Sequence, residues 1–238
     1  MSPVKSRTVR LDRALSKLGL ASRAEAKRLI ADGRVRVRGR IVRDGSRLVT
    51  PEHGSITIDS AVATARPWRT IAFHKPRGVV TTRRDPECRP TVFDLLGNDG
   101  RTLVAVGRLD MASTGLLLLT TDTQLANYLT DPEHAVVRRY VVSVRGSLRD
   151  EDAKRMVCGI DELRAATVHV RKRSARETHL IVELVEGKNR EIRRMLEALG
   201  HPVTKLMRDA FGRIELGSLQ PGEWRDVSRA EIGAISKS

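Results

Sequence analysis

The sequence predicts an α+β protein with two domains. Its 238 residues exceed the roughly 100 to 150 residues of a typical single domain. Helix-like and strand-like patterns are interspersed along the chain, which is typical of an α+β fold. Residues 59–68, DSAVATARPW, show neither pattern and read as a linker. We therefore expect a small domain at 8–58, a larger domain at 69–228 and a C-terminal tail at 229–238 without strong pattern.

The small domain is predicted to begin with two helices. The first has apolar residues on one helical face, at Leu11, Ala14, Leu15 and Leu18, and Gly19 is placed to end it. The second opens with Ser22 and Glu25, which have the spacing of a capping box, and ends at Gly33.

A β-hairpin should follow the helices, because Val35 and Val37 alternate with arginines and Gly39 marks a turn. Arg23 and Lys27 are four residues apart on one face of the second helix. We predict that they form one basic surface with Arg34 and Arg36. A solvated charged face without a ligand is the alternative interpretation.

The larger domain contains alternating strand-like and helix-like segments. The predicted strands are 71–74, 103–106, 115–120, 139–144, 166–170 and 179–185, and the predicted helices are 122–129, 150–158 and 189–199.

The charge balance points to a nucleic acid partner. Lysine and arginine number 44 against 29 acidic residues, which gives a net charge of +15. The basic residues are dispersed rather than gathered on one amphipathic helix, so we expect no membrane binding. The sequence shows no apolar run of signal-peptide or membrane-span length, which favours a cytoplasmic protein. The two cysteines and the scattered histidines lack metal-ligand spacing, so no metal is expected.

One acidic residue stands out as a candidate for catalysis. In VAVGRLDMASTGLLLLTTD, residues 104–122, Asp110 falls on a loop between two apolar strands. A rigid strand–loop–strand frame suits a catalytic carboxylate. An isolated Asp beside a Gly is more often an ordinary turn residue, and the surrounding motif decides between the two interpretations.

Two resemblances to known families follow from these motifs. The string RLDRALSKLGLASRAEAKRLIADGRVRVRGRIV resembles the S4-like RNA-binding domain over about 50 residues, with Arg38 where that family usually has Asn. This resemblance implies that the basic surface binds RNA, through Arg23, Lys27, Arg34 and Arg36. The GRLD segment and the leucine-rich strand after it resemble the signature of the RsuA/RluB family of rRNA pseudouridine synthases. That resemblance implies a mixed, mainly antiparallel sheet with flanking helices.

The second resemblance assigns roles to residues around Asp110. It implies that Asp110 is the catalytic nucleophile or base, that Arg108 holds a flipped-out nucleotide, and that Ser113 keeps the hydroxyl of a family Thr. HKPRGVVTT, with Lys75, resembles the family's KPxG motif. RRYVVSVRG resembles the strand that bears an active-site Tyr, which implies a catalytic role for Tyr140.

A third motif completes the implied site. EGKNREIRRMLEALGHPVTKLMR, residues 186–208, resembles the segment whose basic residue pairs with the catalytic Asp, which implies that role for Arg193. Leu184 maps onto the apolar residue of the base pocket. Further basic residues crowd the start of the same predicted helix, where they favour an anionic partner, and we include them as substrate-binding candidates: Lys188, Arg190 and Arg194.

The implied activity is isomerisation of one rRNA uridine without a cofactor. No GxxxxGK[ST] loop and no GxGxxG after a strand occurs in the sequence. GKNREIRRM and PGEW look closest to the large-subunit, RluB-type branch, so 23S rRNA, free or in a pre-ribosomal particle, is the expected partner of a monomeric enzyme. The alternatives are a non-enzymatic RNA-binding protein with an inert second domain and an RNA methyltransferase with the same N-terminal module.

Overall fold

The computed structural model of the protein describes residues 8–18, 20–21, 23–50, 56–59, 61–62 and 67–235. The chain divides into two compact units. The N-terminal unit runs to Trp68 and includes Thr121–Gln124, and the C-terminal unit contains Arg69–Thr120 and the chain from Leu125 onward. The helix-ending and capping roles predicted for Gly19 and Ser22 lie outside the described residues.

The N-terminal unit contains short helices and strands. They are β1 (Val9–Arg10), α1 (Leu11–Lys17), α2 (Arg23–Ala31), β2 (Val35–Val37), β3 (Arg40–Ile41), β4 (Leu48–Val49), β5 (Ile56–Ile58) and β6 (Ala61–Val62). Strand β1 pairs with β4, and the other strands pair in the order β3-β2-β5-β6. Buried residues from both helices, such as Leu15 and Ile30, form a core with Val35 and Val37. This is the helix–helix–hairpin order that the sequence predicts.

The hairpin between β2 and β3 turns at Arg38 and Gly39, which both have positive φ angles, of 51° and 74°. A two-residue turn with both residues left-handed matches the twist of the strands, and it favours Asn followed by Gly. Gly39 meets this requirement without strain. Arg38 adopts the conformation at a cost, because a larger L-residue is disfavoured there.

The segment predicted as a linker contains a strand. The backbone of β6 pairs with β5, Thr57 opposite Val62 and Ile58 opposite Ala61. Asp59 has φ 52° at the turn between them. Asp tolerates the left-handed conformation, so a short hairpin forms where the sequence lacked a clear strand pattern.

The C-terminal unit contains the larger set of elements. They are β7 (Thr70–Lys75), α3 (Val92–Leu96), β8 (Val104–Ala105), β9 (Thr114–Thr120), α4 (Thr123–Thr130, beginning in the N-terminal unit), a 3-10 turn (Pro132–His134), β10 (Arg138–Arg145), α5 (Asp150–Cys158), β11 (Thr167–Arg173), β12 (Glu177–Leu184), α6 (Glu191–Ala198), β13 (Val203–Phe211), β14 (Ile214–Glu215), β15 (Trp224–Asp226) and α7 (Arg229–Ile235).

Within the continuously described stretch 67–235, nine strands form one sheet. Its central path runs β11-β12-β10-β13-β9-β7-β15, with β14 beside β13 and β8 beside β9. Strands β13 and β9 pair in parallel, and the other pairs are antiparallel. The predicted α+β class with a mixed, mainly antiparallel sheet and flanking helices is therefore confirmed.

The middle of this sheet is buried on both faces. In β9, Leu117 and Leu119 belong to one apolar cluster, whereas Leu116 and Leu118 belong to a second. A strand covered on both faces needs apolar residues at every position. This explains the unbroken leucine run after the GRLD motif.

The predicted C-terminal tail contains a helix, α7. Ser228 and Glu231 cap its start reciprocally: Glu231 N donates to Ser228 Oγ at 3.2 Å, and Ser228 N donates to Glu231 Oε2 at 2.9 Å. Ile235 is buried in the second cluster. The expectation of a patternless tail from residue 229 was wrong, because a capping box and the packing of Ile232 and Ile235 against the second cluster stabilise a short helix there.

Candidate active site

The segment Gly107–Ser113, called the GRLD loop below, joins two paired strands. Strand β8 pairs with the end of β9, and Val106 N donates to Leu118 O at 2.8 Å. Within the loop, Ser113 N donates to Asp110 O at 3.0 Å, which closes a turn. The loop therefore leaves and re-enters the sheet at fixed points, and Asp110 lies half-buried at its tip.

Residues 75–81, which include the KPRG motif, hold the GRLD loop in place through three hydrogen bonds. Lys75 Nζ donates to Ser113 O at 2.8 Å, and Gly78 N donates to Met111 O at 2.8 Å. Thr81 Oγ1 donates to Leu109 O at 2.9 Å. These hydrogen bonds reach the residues on both sides of Asp110, so its backbone is held before any substrate binds.

Gly115 permits the close approach of β13 to the end of the loop. Its φ is +105°, and a Cβ atom there would lie 2.2 Å from the carbonyl oxygen of Arg208. Gly115 pairs with Arg208 in the parallel β9–β13 ladder. The glycine after Ser113 is thus required by both conformation and space.

A cavity of about 160 Å³ opens beside Asp110. Its predicted lining residues are Arg108, Asp110, Ser113, Tyr140, Leu184, Lys188 and Arg190, and its other lining residues are Gly107, Leu109, Thr130, Arg138, Gly187, Glu191, Ile192, Leu206, Arg208 and Phe211. Six residues from three separate sequence motifs, together with Leu184, therefore meet in one place.

Strand register explains why the wall of the cavity forms. Arg138 lies opposite Leu184 in the β10–β12 pair, and Tyr140 lies opposite Arg208 in the β10–β13 pair. These side chains follow the two-residue period of their strands, so they point to the same face of the sheet. All four residues are buried.

Three predicted site residues do not line the cavity. Lys75 is buried behind the GRLD loop, where its ammonium also donates to Pro76 O at 2.9 Å. Arg193 Nη2 lies 3.3 Å from Ala112 O and 3.5 Å from Ser113 Oγ, so it contacts the loop from the side of α6. Arg194 is exposed and forms an ion pair with Glu162 at 2.5 Å.

The electrostatics of the site centre on Asp110. Among the residues that the structure describes, its carboxylate has no hydrogen-bond or ion-pair partner, so the expected pair between Arg193 and Asp110 is not formed. Burial lowers the pKa of Lys75 to about 8, and the negative charge of Asp110 opposes this shift. Burial also lowers the pKa of Arg193, and Asp110 again acts in the opposite direction. Asp110 is thus flanked by two cations while its oxygens remain available.

Sequence reasoning gave no site role to three buried charged residues that line the cavity, Arg138, Glu191 and Arg208. Burial raises the pKa of Glu191 to about 7, and its Oε2 accepts a hydrogen bond from Lys188 N at 3.0 Å. Arg208 Nε donates to Leu116 O at 2.7 Å. The alternation Leu206, Arg208, Ala210 was the available signal, because it places Arg208 on the inward face of a strand.

The RNA-binding residues predicted in the N-terminal unit lie on its surface. Arg23 and Lys27 are exposed on α2. Arg34 is exposed and paired with Asp59, and Arg36 Nη1 donates to Gly39 O at 3.2 Å. Arg23 and Lys27 therefore keep their charges available to a ligand, whereas that of Arg34 is partly neutralised.

Across the described part of the chain, no group of three or more His, Cys, Asp or Glu residues is placed to hold a metal ion. The same residues include no helix that is long and apolar enough to cross a membrane.

Comparisons with known proteins place both units in families. The family model "RNA pseudouridylate synthase" matches residues 69–198, and the model "S4 domain" matches residues 9–55. A solved structure described as a pseudouridylate synthase superposes with a TM-score of 0.68 at 26% identity, covering 95% of this chain and 99% of that one.

Two curated relatives extend the similarity along the chain. An uncharacterized RNA pseudouridine synthase of Aquifex aeolicus is 34% identical over 235 residues, covering 97% of this chain and 94% of the relative. The ribosomal large subunit pseudouridine synthase B of Escherichia coli strain K12 is 39% identical over 237 residues, covering 95% of this chain and 81% of the relative. With a family model over more than half its length and relatives of 34% and 39% identity matched over at least 95% of this chain, the chain belongs to the RNA pseudouridylate synthase family, with an S4 domain ahead of the catalytic domain.

Proposed function

We propose that this enzyme isomerises one uridine of large-subunit rRNA to pseudouridine, with Asp110 as the catalytic carboxylate. The observation that carries the proposal is the unpartnered carboxylate of Asp110, held on a fastened loop beside a cavity with an aromatic and an aliphatic wall. The named large-subunit enzymes among the relatives support the choice of rRNA.

The reaction breaks the bond between C1′ and N1 of the nucleotide and forms a bond between C1′ and C5. A side chain reaches these atoms only after the base leaves the stack, so the target nucleotide must be flipped out. Tyr140 and Leu184 offer the base one aromatic and one aliphatic surface, and the exposed Arg108 stands at the cavity where it can hold the displaced nucleotide.

Asp110 then acts on the ribose or the base as nucleophile or base, and Arg193 supports its ionised form. Both the positive charge of Arg193 and its contacts to Ala112 and Ser113 serve this role, since they act on the same loop. Attack on C1′, attack on C6 and removal of the C2′ proton all require an ionised carboxylate.

The N-terminal unit supplies affinity for the RNA backbone. The exposed Arg23 and Lys27 on α2 can contact phosphates, which position an enzyme without reading sequence. We place this activity on free rRNA or a pre-ribosomal particle in the cytoplasm, and we expect the enzyme to act as a monomer.

Carbodiimide primer-extension mapping of both rRNAs, from cells with and without the gene, tests the proposed function. We expect one pseudouridine of the large-subunit rRNA to disappear on deletion and to return when the parent gene is restored. Identical pseudouridine patterns in the two strains would contradict the proposal, and a loss confined to small-subunit rRNA would contradict the choice of substrate.

A further inference from the structure

The cavity beside Asp110 contains two buried arginines without ion pairs. Arg138 and Arg208 are 5% and 3% exposed, and both line the cavity. Among the described residues neither has a carboxylate within ion-pair distance. Buried charges are normally paired, because removing them from water is costly. Two buried positive charges without ion pairs therefore require a compensating negative charge, which a ligand can supply.

Backbone carbonyl groups hold the two side chains in place. Arg138 donates to Val185 O at 2.8 Å and to Leu129 O at 3.0 Å, so both ends of its guanidinium are occupied. Arg208 donates through Nε to Leu116 O at 2.7 Å, and its Nη2 has no hydrogen-bond partner among the described residues. The guanidinium of Arg208 is thus held at Nε, whereas its Nη2 is left without a hydrogen bond among these residues.

Local charge makes this arrangement unfavourable in the absence of a ligand. Burial lowers the pKa of Arg138, and the positive charge of Arg208 lowers it further. Both guanidinium groups lie over the ring of Phe211, at 5.0 Å and 5.2 Å from its centroid. The negative charge of Glu191 acts on Arg138 in the opposite direction, but neither Asp110 nor Glu191 forms an ion pair with either arginine among the described residues.

Pseudouridine formation generates negative charge at this place. When the C1′–N1 bond breaks, its electron pair stays with the base and is spread over N1, O2 and O4. C1′ is compensated by a bond to Asp110, or by transfer of the C2′ proton to Asp110. After the base turns, C5 bonds to C1′ as the C1′–Asp110 bond breaks or, on the other route, as Asp110 returns the proton to C2′. The C5 proton then leaves and N1 gains a proton, so the base is neutral and Asp110 is again a free carboxylate.

Resting on the function proposed above, we propose that Arg208 is a further catalytic residue. Its guanidinium contacts a carbonyl oxygen of the target uracil and stabilises the negative charge on the detached base, and Arg138 contributes at longer range. A preorganised donor aimed at developing charge in a dry site acts more strongly than the same donor in water. Charge attraction also retains the detached base while it turns.

Substitutions of Arg208 combined with a changed leaving group test this role. Single-turnover conversion is measured on an rRNA fragment with either uridine or 5-fluorouridine at the target position, by chromatography of the digested RNA. Fluorine at C5 stabilises the negative charge on the departing base, so the rate at which that base departs should depend less on Arg208. We expect Arg208→Gln to slow uridine conversion by about 10² to 10³-fold, and to slow 5-fluorouridine consumption by a clearly smaller factor.

Arg213→Gln is the matched control, because Arg213 is exposed at the turn after β13 and lies outside the cavity. It should leave both rates unchanged. Equal slowing of uridine and 5-fluorouridine by Arg208→Gln would overturn the proposal, as would no slowing at all. A parent enzyme that converts neither nucleoside would instead contradict the proposed function.

A binding measurement on the parent enzyme covers the case in which Arg208→Gln does not fold. 5-Nitrouracil is used as the probe, since its anion and its neutral form differ in absorbance. We expect the bound probe to ionise at a lower pH than the free probe, and Arg208→Lys to reduce this difference. An unchanged ionisation of the bound probe in the parent enzyme would overturn the proposal without any measurement of turnover.

Discussion

The ammonium group of Lys75 donates a hydrogen bond of 2.8 Å to the carbonyl oxygen of Ser113, and the chain between Asp110 and Ser113 forms a closed turn. A buried cation thus fastens the loop that carries the candidate catalytic carboxylate. The negative charge of Asp110 favours the charged form of Lys75, whereas burial opposes it. The two residues are therefore coupled through both geometry and charge.

This coupling predicts a pH dependence of stability. Lys75 has a pKa of about 8 in the folded protein, against 10.5 for an unperturbed lysine. Between these values the unfolded state binds more protons, so the free energy of unfolding should rise with pH, by up to about 3 kcal/mol. In Lys75→Met this part of the rise should be missing. The free energy of unfolding in urea, measured for the parent and for Lys75→Met at pH 7.5 and pH 10.5, tests this.

Lys154→Met provides the comparison for Lys75→Met, because Lys154 is exposed on α5. It should show the same pH dependence as the parent. If Lys75→Met also followed the parent curve, the ammonium would titrate normally and would not be the buried group that fastens the GRLD loop.

Gly115→Ala should destabilise the catalytic domain by about 3 to 5 kcal/mol. The new Cβ would meet Arg208 O at 2.2 Å and would also occupy a φ of +105°. Gly222→Ala separates the two effects, since Gly222 has φ +92° and nothing within 4 Å of its Cβ position. Its cost should be about 1 to 2 kcal/mol. Equal losses in denaturant unfolding would contradict the close approach of β9 and β13.

Much of the fold was predictable from local patterns, and what was missed shows where such patterns fail. The sequence predicted β9 and β10 because their apolar residues are continuous or alternate. It missed β13, the strand between them, because Lys205, Arg208 and Asp209 interrupt the apolar pattern. The alternation of Leu206, Arg208 and Ala210 is the local trace of this strand, but the burial of Arg208 depends on pairing with two strands distant in sequence.

The site shows the same division. Motifs that are contiguous in sequence, such as GRLD, gave residues that the structure brings to the cavity, Asp110 among them. Sequence reasoning missed Glu191 because a Glu near the start of a helix is normally explained by its favourable interaction with the helix dipole. Its burial follows from the packing of α6 against the sheet, which is a tertiary property.

Arg193→Ala should reduce turnover strongly, by about 10²-fold or more, while RNA affinity stays within a few-fold of the parent. The variant removes a cation from the neighbourhood of Asp110 and releases its contacts to Ala112 and Ser113. Single-turnover rates and filter binding on one rRNA fragment separate the two quantities.

Arg194→Ala is the neighbouring control on α6, because that side chain is exposed and paired with Glu162. It should change turnover little. A normal maximal rate with a raised substrate requirement in Arg193→Ala would identify Arg193 as a phosphate contact and not as a residue that supports the ionised form of Asp110.

The double substitution Arg23→Gln with Lys27→Gln should have the opposite effect. Two exposed cations that contact phosphates release counterions on binding, so their loss should weaken affinity and flatten its salt dependence by a slope of about 1 to 2. The single-turnover rate at saturating enzyme should be preserved. Affinity measured from low to high salt checks this, and an unchanged slope would remove this surface from the RNA interface.

Asp110→Asn tests the central assignment most directly. The substitution preserves size and much of the hydrogen-bonding geometry, but it removes the negative charge and the capacity for covalent or base chemistry. The backbone hydrogen bonds that fasten the GRLD loop do not involve the side chain, so the fold should be retained. RNA binding should persist or tighten slightly, because the lost charge repelled phosphates.

Turnover of Asp110→Asn should vanish, because Glu191, the other carboxylate that lines the cavity, already accepts a hydrogen bond from Lys188 N through its Oε2. Single-turnover assays on an rRNA fragment, with binding measured on the same sample, give the answer. Pseudouridine formation at more than a few per cent of the parent rate would show that another group performs the chemistry. In that case Glu191 is the next residue to substitute, because it is a buried carboxyl group that lines the same cavity.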